Sequence, residues 1–208
     1  MGEAMREALL GYREKALKCR RFWMPHDLDD VEPEMAEQFR RNFLISRTAA
    51  MDLSPFVERF GYELPDEIKE YMSLYLHPHI AGCYDCMQEN EKGQYKFDDS
   101  LVLFAVMKHK GESDDDILFQ KYGIIDLTEE WLGMCREEAE NDPALEEYLH
   151  EAEDHIPIGW SYYYGFEILF CRSTKEIYLA ADRSDRFVCE RPIARSLSEL
   201  INGMYFNL

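Results

Sequence analysis

The stretch from Ile156 to Ile201 constrains the fold most. Three short apolar runs follow one another in it: Glu167 to Cys171, Ile177 to Ala180 and Phe187 to Cys189. Polar turn residues end the first two, Arg172 to Glu176 and Asp182 to Asp185. Short runs of β-branched and aromatic residues between polar turns predict an antiparallel meander. Ser196 and Glu199 then form an S-x-x-E capping box at the head of a helix. Leu197, Leu200 and Ile201 give that helix its apolar face, and Asn202-Gly203 is its expected C-cap. The predicted skeleton is a sheet closed by a helix, with no catalytic residue in it.

Upstream the period is helical. Met5, Ala8, Leu9, Tyr12 and Ala16 share one face of a helix over 3–19 whose far end is basic. Phe22 to Pro25 breaks it, Asp27 to Glu34 is an acidic linker, and a second helix starts near Pro33 with Met35, Phe39, Phe43 and Leu44 on one side. Residues 1–52 are therefore expected to be a helical N-terminal extension packed on a main domain of residues 53–208. Ser54-Pro55 caps a short helix that Gly61 ends. Pro65 opens the next, where Ile68, Tyr71, Met72 and Tyr75 form an i, i+3, i+4, i+7 stripe. His77 to Cys86 reads as a short extended segment, Gln88 to Asp99 as a polar loop and Leu101 to Met107 as a buried strand. A strand is expected around Ile124-Ile125, then a helix capped by Thr128 that buries Trp131, Leu132 and Cys135. Pro143 divides the acidic stretch from Glu137 to Asp154 into two helical pieces.

Composition narrows the function classes. No run approaches the roughly 18 apolar residues of a membrane span, so no membrane insertion is expected. The N-terminus lacks the basic, apolar and cleavage regions of a signal peptide. Cys171 and Cys189 sit in apolar runs, where a free thiol behaves as a small hydrophobe. A cytoplasmic chain without a disulfide framework is the expectation. The formal net charge is -19, from 23 basic and 42 acidic residues. That field opposes direct nucleic-acid binding and favours a basic partner, solubility being its blander use.

Two stretches carry a family resemblance. One is Phe56 to Tyr75, a short helix, a glycine, then Leu64-Pro65 opening an amphipathic helix. The other is Ile158-Gly159 before an apolar strand, a turn, Ile177-Tyr178-Leu179 and finally Ser196-Leu197. In this order they resemble the SUKH superfamily, which includes the translocon-associated protein Syd and many bacterial toxin-immunity proteins. The resemblance covers roughly 53–203. It departs at Trp160 to Gly165, where relatives are often glycine-rich, at the long acidic insertion from Asp114 to Glu153, and in the N-terminal extension. It implies an α+β domain with a bent, mostly antiparallel sheet backed by helices. It also implies a non-enzymatic binding role, commonly the neutralisation of a toxin. Many such toxins are nucleases, whose surfaces are basic. An immunity protein that occludes a basic toxin domain is the leading expectation, as a monomer without cofactors. A Syd-like regulatory or scaffold protein with an endogenous partner is the first alternative.

Several residue sets could carry binding. Trp160, Tyr162, Tyr163 and Tyr164 combine aromatic mass with polar tips; continued strand alternation would put Tyr162 and Tyr164 on one side and Tyr163 on the other, leaving at least one in the core. Glu146, Glu147, Glu151, Glu153 and Asp154, with Glu137, Glu138 and Glu140, form an acidic field able to steer a basic partner. Asp114, Asp115 and Asp116 add an acidic loop without the glycine and glutamate of a calcium loop. His77, His79, Cys83 and Cys86 have zinc-ligand chemistry within ten residues, a tight span for a tetrahedral site. A small zinc-dependent enzyme using that segment is the second alternative; buried thiols and edge histidines are its structural counterpart.

Overall fold

The polar turn from Arg172 to Glu176 joins two strands of a five-stranded antiparallel sheet whose strands lie in sequence order, while most of the turn expected at Asp182 to Asp185 lies outside the described residues. The computed structural model describes residues 2–19, 28–90, 93–113, 115–181 and 185–206, and of 86–90, 93–99 and 115 the backbone alone. Strands β1 (Ile45–Ser46) and β2 (Tyr75–Leu76) form a small second sheet. In the main sheet β3 (Ile80–Asn90) and β4 (Gly93–Leu103) make a long hairpin, followed by β5 (His155–Ser161), β6 (Glu167–Cys171) and β7 (Ile177–Leu179). The helices are α1 (Glu3–Lys18), α2 (Pro33–Asn42), α3 (Ser54–Phe60), α4 (Asp66–Leu74), α5 (Ile124–Asn141), α6 (Leu149–Glu153) and α7 (Leu197–Gly203). This is an α+β fold, with helices packed on a bent sheet.

Strand β6 explains its own uninterrupted apolar run. Ile168 and Phe170 enter a core shared with α1, α4 and α7, while Leu169 enters a second one with Trp131 and Cys135 of α5. A strand covered on both faces has no polar side to alternate with. Burying Phe170 completely contributes roughly 1.5–3 kcal/mol.

Every residue predicted for the apolar face of α1 is buried, and α1 packs on α7 and α4. Tyr12 reaches the edge of β3, where its hydroxyl donates to the Ala81 carbonyl (2.6 Å) and accepts from the Ala81 N–H (3.0 Å). Lys15 donates to the Asn202 and Met204 carbonyls at the end of α7. At the other end of α7, Ser196 Oγ accepts from the Glu199 N–H. Glu67 of α4 accepts from the Leu197 N–H and from Ser198 Oγ. The helix opened by Pro65 thus helps cap the helix at Ser196-Leu197.

Gly159 has an equally local cause. The pairing of β5 with β6 shifts register between Pro157 and Gly159. A Cβ on Gly159, at φ 157°, would overlap the Val102 carbonyl oxygen and lie 2.9 Å from Leu103 Cα. Only glycine lets β4 approach this closely.

Several local expectations are corrected. Gln88 to Asn90 and Gly93 to Asp99 are not loop but the outer half of the β3–β4 hairpin. β4 ends at Leu103; Phe104 to Met107 are buried, with one bridge at Val106. Ile124-Ile125 begins α5 rather than forming a strand, and Gly123, not Thr128, is the N-cap. The Thr128 hydroxyl donates backwards to the Ile124 carbonyl (2.6 Å). Ahead of α3, Asp52 accepts from the Ser54 N–H, and Leu53 holds the cap position. The Phe187 to Cys189 run is not a strand but carries an isolated bridge, Val188 to Ala180, beside β7. In α7 the Glu199 carboxylate reaches Arg195 N rather than the cap residue, and Gly203 is the last helical residue, capped by extended Met204.

Candidate functional site

The β5–β6 ladder sets Trp160 directly opposite Glu167, so both side chains leave the same face of the sheet. The start of α5 passes over that face. Between them lies a pocket of about 450 Å³, walled by Trp160, Tyr122, Tyr162 and Trp131, floored by Leu127 and Gly159, and rimmed by Glu130 and Glu167.

Each wall has a local reason to be there. Tyr122 adopts φ 62°, a left-handed conformation that strains a non-glycine residue by roughly 1 kcal/mol or more. It is held there by its N–H, which donates to Asp126 Oδ2 in the first turn of α5 (2.8 Å). Its ring then rests on Trp160 with centroids 5.4 Å apart, and His79 packs edge-on against the same indole at 5.4 Å. Trp131 donates its indole N–H to the Ala152 carbonyl, so it offers the pocket carbon surface.

Electrostatically the rim is uncompensated. Among the described residues no cation pairs with Glu130 or Glu167. Partial burial pushes the Glu167 carboxyl above its usual range, and the charges of Glu130 and Glu138 push it further.

The tyrosine segment departs from the expected alternation. β5 stops at Ser161, and Tyr162, Tyr163 and Tyr164 ride a turn closed by Gly165 N to Ser161 O and Ser161 N to Phe166 O bonds. None is core: they are 53%, 75% and 60% exposed. Tyr162 and Tyr163 meet edge to face at 5.3 Å, and Tyr164 stacks on Phe166 at 5.9 Å.

The acidic residues divide into free and engaged groups. Glu146, Glu147 and Glu153 are exposed, Glu153 facing Arg136 at 3.3 Å. Glu151 is half-buried, and its carbonyl is 2.7 Å from His155 Nδ1. Asp154 is structural: it accepts from the Cys171 thiol and the Ser173 N–H and lies 3.6 Å from Arg172. Asp116 is held in its own turn by Ser113 N–H and Oγ, which lower its pKa. Asp114 lies outside the described residues, as does the side chain of Asp115.

The His/Cys segment is dispersed. His77 is fully buried against Tyr71, its Nδ1–H donating to the Pro78 carbonyl, while His79 lies on Trp160. Cys83 Sγ lies 3.9 Å from Ser100 Oγ, and the Cys86 side chain is outside the described residues. Among the described residues no three potential metal ligands are gathered.

Sequence reading singled out Trp160 and Tyr162 and missed Tyr122, Glu130 and Glu167. Glu167 did carry a signal, as the one charge opening an otherwise apolar strand. Among the described residues no helix is long and apolar enough to cross a membrane. No model of a known protein family and no curated protein matches the sequence.

Proposed function

We propose that this chain is a non-enzymatic, cytoplasmic binding module that occludes a basic protein, as an immunity protein does for a nuclease-type toxin domain. The observation that carries the reading is the exposed Tyr162-Tyr163-Tyr164 turn beside an aromatic pocket with two unpaired carboxylates. Exposed aromatic anchors next to concave apolar surface are what a tight interface uses. The formal charge of -19 supplies long-range attraction for a basic partner. Exposed Glu137, Glu138, Glu140, Glu146 and Glu147 extend that field. The SUKH resemblance supports the same role independently of charge.

The test is to search beside this chain for an encoded toxin-like domain and to co-express the two. Survival of cells that the domain alone kills is the expected result. Continued killing with this chain in excess overturns the reading, and survival that persists unchanged after Tyr162, Tyr163 and Trp160 are replaced by alanine overturns its placement at this surface.

A further inference from the structure

The pocket at Trp160 has features that a merely apolar contact does not need. Four aromatic side chains line it together with two carboxylates, Glu130 and Glu167, whose like charges repel and which have no ion pair among the described residues. Glu167 is partly buried without a cation partner and the exposed Glu130 adds a like charge beside it, which is a standing cost. A cation entering the pocket would relieve that cost and gain the attraction of the ring faces. One ring here already has such a neighbour, since Lys121 Nζ lies 4.8 Å from the Tyr122 centroid. Lys121 does not line the pocket, so the space inside remains for a group from outside. Tyr122 is held in a strained conformation by the Asp126 contact, an arrangement that fixes its ring beside Trp160 before anything binds.

We infer that the pocket between Trp160, Tyr122 and Tyr162 receives a single cationic side chain, lysine or arginine, of the partner, with Glu130 and Glu167 as its counter-charges. This rests on the reading of the chain as a module for a basic protein and names the anchor by which it binds. About 450 Å³ accommodates one long side chain and not a folded element.

The experiment titrates the intact chain with N-acetyl-arginine methylamide and, separately, N-acetyl-lysine methylamide, following the Trp160, Tyr122 and Tyr162 ring resonances by NMR. The neutral isostere N-acetyl-citrulline methylamide is the control. Saturable shifts confined to these rings are expected, with a dissociation constant on the order of millimolar for one or both cations and at least about tenfold weaker binding of citrulline. The two cationic arms tell which side chain the pocket prefers. Glu167→Gln and Glu130→Gln together should weaken cation binding about tenfold or more. They remove repelling charges, so the variant is expected to fold, and unchanged backbone spectra check that. Equal binding of the citrulline compound, absence of saturable shifts, or unchanged affinity in the double variant would each overturn the inference. If the double variant loses the small cations yet still protects cells from the toxin domain, the pocket is not the anchor while the wider function stands. If both cations bind but no protection is seen, the wider function fails instead.

Discussion

Trp160 and Glu167 stand opposite each other across the β5–β6 ladder, an aromatic ring and an uncompensated carboxylate on one face of the sheet. The carboxylate's pKa is raised, so between the ordinary glutamate pKa and the folded value the native state holds more proton than the unfolded state. Stability therefore falls as pH rises through that window, and the penalty is complete above it. Glu167→Gln should stabilise the chain at pH 7.5 by about 0.5–1 kcal/mol. The gain should shrink as the pH is lowered towards 4.5, the ordinary glutamate value. Urea unfolding at the two pH values measures it; equal effects at both would show that the carboxylate is not strained.

Gly159→Ala tests the close approach of β4 to β5. The new Cβ collides with backbone, the Val102 carbonyl and Leu103 Cα, so no side-chain rotation can relieve it. The strands must separate or the bulge must slide. A loss of about 2–4 kcal/mol is expected, read from the midpoint of denaturant unfolding. A loss under about 0.5 kcal/mol, the level of an ordinary surface substitution, would mean the register adjusts freely.

These two residues mark the limit of what the sequence made legible. The α1 face and the two-sided β6 run were readable because burial there is periodic or continuous along the chain. The outer hairpin was not, since Gln88 to Asp99 is polar and gives no alternation, although Gln88 to Asn90 pair with Gly93 to Tyr95. Thr128 resembled a cap because its hydroxyl can bond backbone in either setting; in the fold it bonds backwards inside α5. Tyr162 to Tyr164 extend the β5 run as a pattern, but Ser161 and Gly165, which flank them, close a turn. The pocket itself joins residues near 122–131 with residues near 159–167, and no local pattern reports such a meeting.

Tyr12→Phe asks how far α1 is integral to the sheet. The ring remains, but the Ala81 N–H and C=O both lose the hydroxyl that serves them. Leaving buried polar groups without partners costs about 1–3 kcal/mol. The expected outcome is a loss in that range with unchanged cooperativity. A separate early transition for α1 in hydrogen exchange would instead show that the helix opens independently.

His77 gives the chain an acid-side instability. Burial is the main cause that holds its imidazole neutral, with pKa lowered to about 4 against an ordinary 6.5. Above pH 6.5 neither state is protonated and stability is full. As pH falls from there towards 4, the unfolded chain takes up a proton that the native one refuses, so stability declines. The total is about 3 kcal/mol. His77→Phe, which keeps a ring against Tyr71, should flatten this part of the stability–pH curve whatever it does to the value at pH 7.5. An unchanged slope would assign the acid loss to other groups.

Cys171 and Cys135 are nearly equally buried, at 4% and 1% exposure, but their surroundings shift the two thiols in opposite directions. For Cys135, burial comes first and the Glu138 and Glu167 charges add to it, pushing the thiol above its ordinary range. Burial also raises Cys171, but His155, Ser173 and Thr174 outweigh it and bring the thiol to about 7. His155 is its partner across the β5–β6 pair; its Nε2 has no well-aligned hydrogen bond, so it acts on the sulfur chiefly by proximity. The thiolate is the form that alkylates. Under native conditions at pH 7.5, iodoacetamide should label Cys171 at least about tenfold faster than Cys135, and His155→Gln should narrow the gap. If labelling required global opening, both thiols would react from the unfolded chain at one rate. Site-resolved mass spectrometry over time separates the two cases, and equal rates at Cys171 and Cys135 would remove any native role for the His155 contact.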